Sequence, residues 1–176
     1  DYLIIGNIAR YHPIKDHETL LKSLVLLKSK EVKFKCILIG NGLSKENKNL
    51  VFKIRKYKLQ SRVILLGEMT EVYKILNSFD INILSSKSEC APVTLIEAMA
   101  SGIPSISTKV GDSQYILGDT GWIIKVGDFK ALANHIEKIY KNKNLLREKS
   151  KLALKRAKTF FSLELMLSKY KKLYNI

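Results

Sequence analysis

Ser88-Glu89-Cys90-Ala91-Pro92-Val93-Thr94-Leu95-Ile96-Glu97-Ala98-Met99-Ala100-Ser101-Gly102-Ile103-Pro104 follows a short apolar run, Ile81 to Leu84. That order is what a buried strand, a polar loop and a brief helix require. Pro92 and Thr94 serve as helix-start residues, and Gly102 and Pro104 close the helix. Backbone N–H groups near Val93 to Leu95 then lack intrahelical partners and point at whatever lies in front of the helix, which suits a phosphate. Glu89 sits in the loop and Glu97 eight residues later in the first turns, placed to accept hydrogen bonds from neutral hydroxyls. An ordinary capped surface helix with two solvated glutamates has the same spacing, so these residues alone leave both readings open.

The alternation of apolar run and helix extends outward in both directions. Leu3 to Gly6 reads as a buried strand, followed by a polar loop carrying Arg10 and Lys15 on either side of Pro13. Asp16 then caps a helix with Thr19, Leu20, Leu21, Leu24 and Leu27 at helical spacing. Phe34 to Ile39 is a second strand, ended by the turn Gly40-Asn41-Gly42, with a helix over Leu50 to Tyr57. Val63 to Leu66 and a helix over Val72 to Phe79 lead back to the opening stretch. Ile103 to Ser107 and Trp122 to Ile124 add two strands, with Gly111-Asp112-Ser113 opening a loop that faces the site from the other side. Asp128 caps a helix to Tyr140, and helices follow over Leu145 to Lys158 and Ser162 to Tyr174.

Continuous apolar strands separated by helices predict an α/β fold: a Rossmann-like parallel sheet of about six strands with helices on both faces. Ligands of such sheets bind beyond the carboxyl ends of the strands, and Arg10, Lys15, Gly40, Asn41, Glu89 and the Val93 helix start all fall on that edge. Arg10 and Lys15 could converge there on a diphosphate, although two solvated loop cations would have the same spacing. The glycine turn lacks the G-x-G-x-x-G spacing, which argues against a dinucleotide site.

A chain of 176 residues is one domain by length, and 46% hydrophobic with 27% charged residues is ordinary for a globular protein. No apolar run approaches the ~18 residues of a membrane span. Cys36 and Cys90 form no zinc or redox motif, so a reducing, cytoplasmic setting is expected. Cys90 is read as a small residue filling a pocket wall, Trp122 as core, and His12, His17 and His135 as non-catalytic. The net charge of +15 is concentrated at the end of the chain, with 14 basic and four acidic residues from Lys125 onward. A lysine-rich composition throughout, an anionic membrane surface and a nucleic-acid face compete to explain it.

The opening stretch resembles the E-x7-E signature of the family 4 retaining glycosyltransferases, in the nucleotide-sugar-binding half of a two-domain GT-B fold. The resemblance covers further landmarks in the family's order over about 125 residues: Ile4 to Asp16, Leu38 to Gly42, Ser61 to Gly67, Val110 to Asp112, Gly118 to Trp122 and Val126 to Asp128. Two departures stand out. Asp16 occupies a place where the family commonly has glycine, and Cys90-Ala91-Pro92 replaces its usual glycine and aromatic.

By this resemblance Glu89, Arg10 and Lys15 carry the catalytic roles, Glu89 holding the donor sugar and the two cations the diphosphate. Glu97 would hold the ribose, and Val93, Thr94, Gly40 and Asn41 would complete the donor site. The nucleobase would meet backbone at Arg62, Val63 and Ile64. The family works without metal, so no metal and no cofactor are expected, the donor substrate being a nucleotide sugar of unidentified base. Residues 1–176 would form one donor-binding domain, with the last helices (about 144–176) packed on it or toward an N-terminal acceptor domain that this chain lacks. That partner domain is expected, as is transfer with retention to a glycan or lipid-linked acceptor in bacterial surface polysaccharide synthesis. Peripheral placement on the inner face of the cytoplasmic membrane is compatible with the basic C-terminal helices. Alternatives from other classes are a basic nucleic-acid-binding module, disfavoured because the aromatics sit in apolar stripes, and a non-catalytic pseudo-transferase.

Overall fold

The computed structural model describes residues 2–175. Six strands, β1 (Leu3–Ile8), β2 (Phe34–Ile39), β3 (Val63–Gly67), β4 (Ile81–Leu84), β5 (Ser105–Thr108) and β6 (Trp122–Ile124), form one sheet. Their order is β3-β2-β1-β4-β5-β6 and every pairing is parallel. The helices are α1 (His17–Ser29), α2 (Lys48–Lys56), α3 (Tyr73–Leu76), α4 (Val93–Ala100), α5 (Ser113–Leu117), α6 (Phe129–Lys141), α7 (Lys143–Phe160) and α8 (Leu163–Tyr174). This is the Rossmann-like sheet that the apolar runs predict. β4 is buried at all four positions because helices cover both sheet faces, which is why its sequence does not alternate.

Buried leucines hold the first unit together. Leu20, Leu21, Leu24 and Leu27 of α1 are all 0% exposed, each contributing about 1.5–3 kcal/mol by leaving water. Asp16 caps this helix as predicted: Thr19 N–H donates to its Oδ1 at 3.3 Å and the Thr19 hydroxyl to its Oδ2 at 2.7 Å. Its φ of 47° lies in the left-handed region. Glycine is at ease in that geometry, and aspartate is one of the few other residues that tolerates it.

One element differs from expectation. α3 is a single turn rather than a helix from 72 to 79, because Ser78 and Phe79 close separate turns onto Ile75 and Leu76 before the chain enters β4. α8 buries no residue at all. Its apolar stripe, Leu163, Met166, Leu167, Tyr170, Leu173 and Tyr174, is exposed throughout.

Sheet order reverses between β1 and β4, which both neighbour each other and run on to opposite sides of the sheet. The loops leaving their carboxyl ends must diverge, and a crevice opens between them. Lys15, Glu89, Val93 and Thr94 stand on its walls.

Candidate functional site

One wall of the crevice is the loop after β1. His12 Nδ1 accepts from Ile14 N–H at 3.2 Å, closing the 3-10 turn Pro13–Lys15 that presents Lys15. The other wall is the loop after β4, tied to the first by two bonds. Lys87 N–H donates to the Ile14 carbonyl at 2.7 Å, and the Ser85 hydroxyl donates to the Lys15 carbonyl at 2.9 Å. These bonds bring together side chains 74 residues apart: Lys15 Nζ lies 2.6 Å from Glu89 Oε1. Ser86 Oγ donates to the same oxygen at 2.6 Å. Glu89 Oε2 has no partner among the described residues.

Between these walls is a cavity of about 150 Å³ bordered by Asn7, Lys15, Ser86, Glu89, Val93 and Thr94. α4 begins here with Pro92 at its N-cap and no side-chain cap. Every other helix of eight or more described residues is capped by a side chain, from Asp16, Asn47, Asp128, Asn142 or Ser162. The N–H groups of Val93 and Thr94 are thus the helix donors left open, at the positive end of the helix dipole and facing the cavity. The crevice offers a cation, orphan N–H donors and a carboxylate acceptor within one small volume. That set matches a ligand with an anionic part and a hydroxyl-bearing part.

A third loop supports Glu89 from behind. Asp112 N–H donates to the Cys90 carbonyl at 2.8 Å, and the Thr108 hydroxyl donates to the Ser86 carbonyl at 2.7 Å. Gly111 makes this approach possible: a Cβ there would stand 2.0 Å from the Cys90 carbonyl oxygen and 2.4 Å from that of Glu89. Ser86, Thr108 and Gly111 were not singled out from the sequence as site residues. Only the third carried a signal, the glycine of its turn.

The other expected residues divide. Arg10 is exposed beside the crevice and makes no hydrogen bond or ion pair among the described residues, so its guanidinium is free to turn inward. Glu97 is exposed one helical turn beyond Val93 and Thr94 and does not border the cavity. Gly40 and Asn41 lie at the carboxyl end of β2, where their backbone serves the fold. A Cβ on Gly40, whose φ is 141°, would stand 2.1 Å from the Ala9 carbonyl oxygen, and Tyr11 N–H donates to the Asn41 carbonyl at 2.7 Å. The Asn41 side chain donates to Glu68 at 3.0 Å.

Arg62, Val63 and Ile64 are not brought to the crevice. They stand at the amino end of β3, where Cys36 N–H donates to the Arg62 carbonyl at 2.8 Å, Val63 is level with Cys36 and the Arg62 guanidinium donates to the Val32 carbonyl at 2.8 Å. The parallel register puts the carboxyl end of that strand, Gly67 and Glu68, on the ligand edge instead. Cys90 also departs from expectation: it is exposed, and Ala91 and Pro92 line the cavity in its place. Trp122 packs half-buried against the His135 ring at 6.2 Å. Among the described residues no cluster of three His, Cys, Asp or Glu is placed to hold a metal ion, and no helix is long and apolar enough to cross a membrane.

The sequence model of the glycosyl transferases group 1 family matches residues 1–157. The chain belongs to this family. Over 173 residues it is 28% identical to N-acetyl-alpha-D-glucosaminyl L-malate synthase of Bacillus anthracis, covering 97% of this chain and 45% of that protein. It is 27% identical to the capsular polysaccharide biosynthesis glycosyltransferase CapM of Staphylococcus aureus, covering 99% and 46%. Among solved structures, Anabaena HepE in complex with UDP-glucose superimposes with a TM-score of 0.89 at 21% identity, covering 100% of this chain and 50% of that one. The fold is therefore that of one half of a GT-B glycosyltransferase, and the relative CapM is named for capsular polysaccharide biosynthesis. The chain spans about half the length of these relatives.

Proposed function

We propose that this chain is the donor-binding half of a retaining glycosyltransferase and holds a nucleoside-diphosphate sugar in the crevice between β1 and β4. The observation that carries the reading is the meeting of Lys15 and Glu89 beside the start of α4, which has no side-chain cap. Departure of a nucleoside diphosphate concentrates negative charge, which preorganised donors stabilise. Lys15, the N–H groups of Val93 and Thr94 and the unpaired Arg10 supply that stabilisation without requiring a metal. Glu89 Oε2 accepts from a hydroxyl of the donor sugar, and Glu97, one turn on, from the ribose. HepE, crystallised with UDP-glucose, supports the reading only to the extent that the same fold accommodates such a donor.

Calorimetric titration with UDP, GDP, ADP and their sugar conjugates tests it. One nucleotide series is expected to bind saturably, and Lys15→Ala is expected to weaken it by about tenfold, the scale of a lost charge-assisted bond, with Glu97→Ala weakening it as well. A folded chain that binds none of the series would overturn the reading.

The residues that bind the acceptor, a glycan or lipid-linked glycan, are proposed to come from the other half of the protein. The bare stripe of α8 is the surface offered to that half, since contiguous exposed apolar residues of this extent mark an interaction face. Leu163→Lys with Tyr170→Lys is expected to abolish association with a separately expressed acceptor half while leaving the melting temperature and nucleotide affinity of this chain unchanged. Undiminished association would show that the stripe has another role.

A further inference from the structure

We propose that the Lys15–Glu89 pair makes the site discriminate between a sugar-bearing diphosphate and the bare diphosphate left after transfer; this rests on the donor-site reading above. The two side chains are assigned to different parts of one ligand, Lys15 to the diphosphate and Glu89 to the sugar. In the structure they bond each other at 2.6 Å, and their side chains are only 22% and 14% exposed. A diphosphate reaching for Lys15 therefore competes with a carboxylate already in place, and the same carboxylate repels it.

Ser86 is the positioning residue in this exchange. Its hydroxyl donates to the oxygen that Lys15 uses, so Glu89 keeps one bond and its orientation when Lys15 leaves. Oε2 stays open to a sugar hydroxyl. A hydroxyl donating there draws on the carboxylate's charge, loosens its hold on Lys15 and makes the diphosphate contact more favourable. With a bare diphosphate nothing occupies Oε2, Glu89 retakes Lys15, and the spent nucleotide is released. Sugar and diphosphate thus bind with positive coupling through one ion pair.

The test titrates this chain and its Glu89→Gln, Ser86→Ala and Lys15→Ala variants, at fixed ionic strength, with UDP, GDP and ADP and with UDP-glucose, GDP-mannose and ADP-glucose. For the nucleotide that binds, Glu89→Gln is expected to take the bare diphosphate about tenfold more tightly, because a nearby negative charge is gone and Lys15 is released. Its preference for the sugar conjugate over the bare diphosphate is expected to fall by about tenfold or more. Ser86→Ala is expected to weaken the conjugate and to leave the bare diphosphate within about twofold. A glutamate that only supports the loop would weaken both ligands together. If Lys15→Ala weakens binding but Glu89→Gln fails to strengthen the bare diphosphate, the discrimination is overturned and the donor site stands. If Lys15→Ala has no effect, or the folded chain binds no nucleotide, the donor-site reading falls and the discrimination with it.

Discussion

Replacing Gly111 by alanine is expected to destabilise the chain by about 2–4 kcal/mol and to weaken nucleotide-sugar binding by at least about tenfold. Two separate effects add. The residue sits at φ 43°, where a Cβ alone costs on the order of 1 kcal/mol. The new Cβ would also stand 2.0 Å from the Cys90 carbonyl oxygen and 2.4 Å from that of Glu89, so backbone, and not a flexible side chain, must move. Whichever strand of the contact yields, the Asp112 N–H bond to Cys90 lengthens and the loop that aims Glu89 shifts. Gly127 isolates the first effect: its φ is 78° and nothing stands within 4 Å of its Cβ position. Gly127→Ala is therefore expected to cost about 1 kcal/mol and to leave binding unchanged. Urea denaturation of both variants, with calorimetric titration beside it, checks the pair. Equal costs for the two substitutions would show that Gly111 does not hold the Glu89 loop.

This contact marks the boundary of what the sequence could show. Strands were legible because a strand covered on both faces is mostly apolar, as in Phe34 to Ile39, where Lys35 is the one charged residue and whose bounds match β2 to the residue. Asp16 and Asp128 were legible because capping chemistry is local, a side chain and an N–H three residues apart, and the Val93 start because a proline stands directly before it. Register across the sheet is not local. The family resemblance puts the nucleobase at Arg62 to Ile64, whereas pairing with Cys36 places these residues at the amino end of β3, away from the ligand edge. Nor does spacing reveal that Ser86, Lys15 and Glu89 share one oxygen, because a loop-to-loop bond over 74 residues leaves no periodic trace. Cys90 was misplaced for a related reason. The turn into α4 directs Ala91 and Pro92 inward, and which of three adjacent loop residues faces a cavity depends on backbone dihedrals that composition does not fix.

Between pH 6.5 and about 4 the chain is expected to lose up to roughly 3 kcal/mol of stability, and His17 is expected to account for most of it. His17 opens α1 beside the Tyr11 ring and is 4% exposed, with neither ring nitrogen hydrogen-bonded. Burial is the largest influence on it and holds its pKa at about 4; Lys53 and Lys15 push in the same direction and Asp16 opposes them. In the unfolded chain the imidazole takes up its proton near its ordinary 6.5. Within that window the unfolded state binds a proton that the folded state refuses, so stability is full above pH 6.5 and falls as pH approaches 4. Glu137, lowered to about 2 by its bonds from Lys141 and Lys30, contributes only as pH drops below the ordinary carboxylate range. The two groups therefore act in largely separate windows. Denaturant midpoints measured from pH 8 to 4 should slope for the native chain and flatten above pH 4.5 for His17→Phe, which removes two unsatisfied nitrogens and no hydrogen bond. An unchanged slope in that variant would assign the acid sensitivity elsewhere. Because His17 follows directly on Lys15 and Asp16, the same protonation strains the turn that presents Lys15. Donor affinity of the folded chain is therefore expected to hold through most of that window and to decline only as pH approaches 4, where the native state itself takes up the proton.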